Sequence, residues 1–169
     1  MTSVLQRRAL ISFPSVRVVF LLWFTECFSA DSHCDEGYLL FGEHCYHFET
    51  ETVKNWQDAE NYCVAQNGHL VNHFNPYRKF PSVQASSSWV GLNDIDREGT
   101  FVWSDGTQAD FQPWETNQPD NWQNNEDCVH IRGTEHQDTG KLNDLPCSST
   151  YPFICQKASG RSACLCLSS

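Results

Sequence analysis

The cysteines constrain this chain more than any other feature. Nine are present, and what they can do depends on where the chain goes. Arg7, Arg8 and Arg17 precede the apolar stretch from Val18 to Phe24, and the small residues Ser29 and Ala30 follow. This is the pattern of a secretory leader cut after Ser29 or Ala30, a signal peptide over residues 1–30. Arg17 interrupts the stretch well short of the ~20 apolar residues a spanning helix needs, so no membrane insertion is expected. Cleavage removes Cys27 and leaves an even set at 34, 45, 63, 128, 147, 155, 164 and 166. An even count in an exported chain favours disulfides, whose connectivity the sequence leaves open. Zinc thiolate chemistry lacks its signature, because no C-x-x-C pair exists. His44-Cys45-Tyr46-His47 comes nearest, but on an alternating strand its two histidines point to opposite faces.

With 169 residues there is room for one domain and one real core. The 21 acidic and 11 basic residues give a net charge of −10. That balance argues against nucleic-acid backbones and anionic membranes as partners, and it suits cations.

The pattern of elements is α+β. Apolar and aromatic residues from Tyr38 to Phe48 flank Gly42-Glu43 and read as a hairpin. A helix follows: Asn55 caps, Asp58 lies three residues on, Trp56, Ala59 and Cys63 share one face, and Asn67-Gly68 stops it. A second, short helix is expected between Tyr77 and Gln84. Strands are expected at Trp89–Leu92, Phe101–Trp103, Cys128–Ile131, Lys141–Asn143 and Tyr151–Gln156, paired antiparallel. Residues 107–126 hold Pro113, Pro119 and many amides, a loop long enough to carry function.

That loop and the strand after it are rich in hard oxygen donors. Gln118, Asp120, Glu126, Asn143 and Asp144 offer carboxylates and amide carbonyls, the chemistry calcium selects. Taken singly, each is an ordinary turn or surface residue, and no EF-hand spacing is present.

Order and spacing carry more than any one residue. From Cys34 to Gln156 the chain resembles a C-type lectin domain. The matches are Cys34 and Cys45, Trp56-x-x-Ala59, Cys63, Gly68-His-Leu70, Trp89-Val-Gly-Leu92, Trp103-Ser-Asp-Gly106, Glu126-Asp-Cys128, Asn143-Asp144, Cys147 and Phe153-Ile-Cys155. The resemblance implies a domain over residues 31–158 with a short Cys-containing tail at 159–169. It implies two helices flanking short antiparallel sheets, a long ligand loop, and the disulfides Cys34–Cys45, Cys63–Cys155 and Cys128–Cys147. It also implies a primary Ca2+ held by Gln118, Asp120, Glu126, Asn143 and Asp144, with a cis bond at Pro119 turning both flanking side chains to one ion. Asp144 would add its backbone carbonyl. An auxiliary calcium site maps onto Asp94, Glu98, Asn121 and Asp127, with Asn121 standing where an acid is usual.

In that family a sugar places two adjacent hydroxyls on the ion and completes them with hydrogen bonds to the ligands, here Gln118, Asp120, Glu126 and Asn143. The Gln118-Pro-Asp120 order is associated with galactose-type ligands, and Trp122 falls where galactose binders stack an aromatic on the sugar. This chain departs from them in lacking the glycine-rich insertion after that Trp, and Leu142 replaces the Trp usual before Asn-Asp. The reading is therefore a secreted, extracellular, non-enzymatic lectin for terminal galactose-type sugars, serving recognition or innate defence. The rival is a C-type-lectin-like protein-binding module in which calcium is structural or absent. No nucleophile motif or H-E-x-x-H supports an enzyme. Cys164 and Cys166 lie outside the pattern, and an unpaired thiol there would link two copies of the chain covalently.

Overall fold

In the computed structural model the described residues are 32–72 and 86–161. The expected leader, the second helix at 77–84, and Cys164 and Cys166 lie outside them. Among the described residues no helix is long and apolar enough to cross a membrane.

The chain runs β1 (Ser32–His33), β2 (Leu39–Phe41), β3 (His44–Lys54), α1 (Trp56–Ala65) and β4 (His69–Leu70). It continues through β5 (Ser88–Asn93), β6 (Val102–Trp103), a 3-10 turn (Trp122–Asn124), β7 (Cys128–Ile131), β8 (Leu142–Leu145), β9 (Tyr151–Ala158) and β10 (Gly160–Arg161). The main sheet has the order β2-β3-β9-β5-β7-β8, with β4 added beside β9 and β6 beside β5.

The helix starts as its sequence dictates. Asn55 accepts the Asp58 N–H at 2.8 Å, closing the cap. It stops at Asn67, whose φ of 61° supplies the left-handed residue. Gly68 serves packing instead. A Cβ there would collide with the Gln156 carbonyl, so the glycine lets the chain leaving α1 lie against β9. Glu60, buried on the helix, accepts the Leu70 N–H at 2.8 Å and contacts His69 Nδ1 at 2.6 Å. These bonds fix the start of β4.

Strand alternation sorts the core into two layers. Phe153 and Cys155 of β9 and Trp89 of β5 pack under α1 with Trp56, Ala59 and Cys63. Ile154, Val90, Leu92, Val129 and Ile131 pack on the other face, where Phe101 and Trp114 cover them. Two indoles lock the layers: Trp56 Nε1 donates to the Val90 carbonyl at 2.8 Å and Trp89 Nε1 to the Lys54 carbonyl at 2.9 Å. Trp56, Trp89 and Trp103 are core residues as expected, whereas Trp114 is half-buried and meets Phe101 edge-on at 4.8 Å.

All three expected disulfides are present: Cys34–Cys45, Cys63–Cys155 and Cys128–Cys147. Cys63–Cys155 ties α1 to β9 across 92 residues, a closure worth about 4–5 kcal/mol in the chain-entropy view.

Two expectations are corrected. The β5–β9 contact is parallel at Trp89–Phe153, so the sheet is not purely antiparallel; these strands are joined by a crossover, not a hairpin. The second strand of the hairpin, β3, extends through Lys54, well beyond Phe48. Gly160 and Arg161 also pair with His33 and Ser32, in a separate two-stranded sheet.

Candidate functional site

Three of the oxygen donors, Asp120, Glu126 and Asp144, meet where the long loop returns to β8. On the strand, the β7–β8 register sets Asn143 opposite His130 and Asp144 opposite Val129. Both donors are buried, Asp144 to 1% exposure. On the loop, Glu115 and Gln118 open and close a tight turn through the Gln118 N–H to Glu115 carbonyl bond of 3.0 Å. Asn117 takes φ 68° at its third position, the conformation a type II turn demands. The Gln118–Pro119 bond is cis, as expected.

Backbone hydrogen bonds stitch loop to strand. Asp144 Oδ1 accepts the Asp120 N–H at 3.2 Å and Oδ2 the Asn121 N–H at 2.8 Å. Glu126 Oε2 accepts the Trp122 N–H at 3.1 Å, and the Glu126 N–H donates to Asn121 Oδ1 at 3.1 Å. The 3-10 turn between them runs through left-handed Asn121, Gln123 and Asn124; asparagine tolerates this region better than most non-glycine residues. Trp122 therefore projects from a short pinned turn and stands 64% exposed.

The carboxylates of Asp120, Glu126 and Asp144 lie with one oxygen each within 4.8 Å of one another. Oxygens on opposite sides of one calcium, each about 2.3–2.6 Å from it, stand about 4.6–5.2 Å apart, so this spacing fits a shared ion. Electrostatics agree. The Glu126 carboxyl is pushed above the usual range, first by burial and then, against the Trp122 N–H bond, by Asp144 and Asp120. Such crowding is relieved by a divalent cation. Gln118 Oε1 is buried with no hydrogen-bond partner, the condition of an acceptor awaiting a cation. The residues present thus fit a hard cation.

Asn143 differs in detail: its Nδ2 donates to the Asp144 carbonyl at 2.6 Å. That carbonyl, expected among the ligands, is taken by the neighbouring amide. Turning the amide over would set two oxygens side by side, as neighbouring ligands of one ion stand.

The auxiliary residues are less converged. Asp94 is buried, with Oδ2 accepting the Gly99 N–H at 2.7 Å and Oδ1 without a partner. Burial raises its pKa, and Glu98, Asp127 and Asp144 add to the rise against the Gly99 bond. Its N–H meets the Asp127 carbonyl at 3.1 Å. Glu98 is exposed, and Asn121 Oδ1 is already engaged by Glu126. Among the described residues these acids form no group as tight as the primary one.

A second convergence escaped the sequence. Glu115, His136 and Asp138 also bring ligand atoms within 4.8 Å of one another. Arg132 Nε donates to Glu115 Oε2 at 2.7 Å in the same place, so a cation is already supplied there by the chain itself. No sequence signal marks these residues, whose contact joins the loop to the far end of a hairpin.

The decisive comparison is with the lectin C-type domain, whose sequence profile matches residues 52–157. The chain belongs to the C-type lectin domain family. This lectin domain is 35% identical over 139 residues to mouse C-type lectin domain family 4 member F, covering 76% of this chain and 24% of that protein. It therefore spans about a quarter of the length of that relative. Among solved structures it is similar to the cow CD23 carbohydrate-recognition domain determined in the presence of GlcNAc2Man3 oligosaccharide. The TM-score is 0.67 at 30% identity, covering 77% of this chain and 99% of that one. It is equally similar in fold to a calcium-independent type II antifreeze protein, TM-score 0.67 and 28% identity, over 76% and 97% of the two chains. Like its family, this domain is a binding module, not an enzyme. The fold alone does not decide calcium dependence; the side chains do.

Proposed function

We propose that this domain is a calcium-dependent lectin that binds terminal galactose-type sugars outside the cell, in recognition or innate defence. The observation that carries the reading is the meeting of Asp120, Glu126 and Asp144, and the buried, unpartnered oxygen of Gln118 on the same loop supports it. Gln118, Asp120, Glu126, Asn143 and Asp144 would hold the primary Ca2+. Asp94, Glu98, Asn121 and Asp127 are the proposed auxiliary set, tuned by Asn121 towards weaker occupancy. Bound calcium supplies open coordination positions for two vicinal hydroxyls.

The chain's own residues do the rest. Carboxylates of Asp120 and Glu126 accept from the sugar hydroxyls, while amides of Gln118 and Asn143 donate to them. The acid-amide order therefore selects which hydroxyl pair fits, and Gln118-Pro-Asp120 supports galactose. Trp122, exposed beside Glu126, offers its ring to the apolar face of the sugar. With no glycine-rich insertion, the Asn121–Glu126 and Glu126–Trp122 bonds hold that turn in its place.

Retention on galactose resin with calcium, and release by a chelator, tests the reading. The alternative is a C-type-lectin-like protein-binding module in which calcium is structural or absent, and failure of calcium to promote retention supports it. Export over residues 1–30 and a covalent dimer through Cys164 or Cys166 belong to the same proposal; a non-reducing gel of secreted protein tests both.

A further inference from the structure

We propose that Arg132, which lies outside the ligand set, is a positioning residue for the primary calcium site and acts through Glu115. The proposal rests on the calcium reading above. Arg132 directly follows β7 and is fixed on the β7–β8 hairpin: its N–H donates to the Lys141 carbonyl at 2.8 Å, and its carbonyl accepts the Gly140 N–H at 2.9 Å. From that base its Nε donates to Glu115 Oε2 at 2.7 Å, with both side chains half-buried.

Glu115 is gripped from two sides. Its backbone N–H donates to the Leu142 carbonyl at 2.9 Å, and the Leu142 N–H donates to the Pro113 carbonyl at 3.0 Å. Residues 113–115 thus lie against β8 through a single parallel bridge between Trp114 and Leu142. Leu142 immediately precedes Asn143 and Asp144. On its other side the Glu115 carbonyl receives the Gln118 N–H at 3.0 Å, closing the turn that presents Gln118. One residue therefore joins the strand ligands to the first loop ligand, and Arg132 holds its side chain.

A charge-assisted bond of this geometry is roughly twice as strong as a neutral one. Without Arg132, Glu115 loses that bond and is left against Asp138 and His136 in the same cluster. The turn is then free to shift, and Gln118 leaves the spacing that three carboxylates require. Partners beyond the ligands commonly set metal affinity in this way.

The test uses the full chain as wild type, Arg132→Gln, Glu115→Gln and the reversed pair Arg132→Glu with Glu115→Arg. Calcium affinity is read by calorimetry, and melting in chelator serves as the folding control. Arg132→Gln is expected to weaken calcium by roughly 10- to 100-fold, and the reversed pair to recover most of that loss. Glu115→Gln keeps the shape without the charge, so it gives a smaller loss and serves if Arg132→Gln does not fold. Unchanged affinity in Arg132→Gln or Glu115→Gln overturns the positioning role alone, as does a reversed pair no better than the single variant. A wild-type chain that takes up no calcium overturns the calcium reading itself, and the positioning role with it.

Discussion

The backbone N–H of Asn121 donates to Oδ2 of Asp144 at 2.8 Å, tying the ligand loop to the strand that supplies two of the five proposed ligands. Asp144 is thus both a proposed ligand and the anchor of the loop. Its replacement by Ala removes a charged oxygen pair and leaves the Asp120 and Asn121 N–H groups without their acceptor. Asp144→Ala is expected to abolish calorimetric calcium uptake. It is also expected to lower stability in chelator by about 1 kcal/mol, the scale of hydrogen bonds lost at part-buried donors. A normal calcium titration in this variant contradicts the site assignment.

Sugar choice is a separate matter from metal binding. Exchanging Gln118→Glu together with Asp120→Asn keeps the number of carboxylates and reverses their order. A glycan panel should then show preference moving from galactose towards mannose, with calcium still required. An unchanged ranking argues that the order of acid and amide does not select the sugar here.

Trp122 offers the cleanest separation of sugar from fold, because it is 64% exposed and its ring carries none of the hydrogen bonds that hold the turn. Trp122→Ala should weaken galactose by about 1 kcal/mol, the scale of one aromatic contact. Melting temperature and calcium affinity should stay as they are. Equal galactose affinity in the variant would exclude stacking.

Acid should weaken the fold through His130. The ring is buried against Trp89 and Tyr151, with centroids 6.2 and 5.0 Å away. Neither nitrogen has a partner. Burial, with Arg132 and His136 adding, lowers its pKa to about 3. The unfolded histidine titrates near 6.5, so between about pH 6.5 and 3 the unfolded chain holds a proton that the folded one refuses. Stability from this group is complete above that window and falls through it, by at most about 1.4 kcal/mol per pH unit. Melting curves in chelator should show a shallower acid decline for His130→Phe than for wild type. Identical declines would remove His130 as a cause of acid sensitivity.

Much of this was legible in the sequence because it is written locally. The Asn55 cap, the face shared by Trp56, Ala59 and Cys63, and the alternation of Tyr151–Gln156 need only neighbouring residues to be read. The oxygen donors were visible as residue types, while their convergence was implied only by family order and spacing. What stayed hidden depends on distance through space. The parallel Trp89–Phe153 contact joins strands far apart in the chain. The Arg132–Glu115 bond links two unremarkable surface-type residues whose meeting follows from the hairpin register. The pairing of Gly160 with His33 likewise joins residues far apart in the sequence. The exposed Trp122 could be named from sequence, but not the three left-handed amides that hold its turn.

Calcium titration of the wild-type chain, by calorimetry after exhaustive chelation, probes the proposed metal site with no variant and no sugar in the way. Saturable uptake that enables galactose binding is the predicted result. Absence of uptake, with the fold intact and galactose ignored, would contradict it.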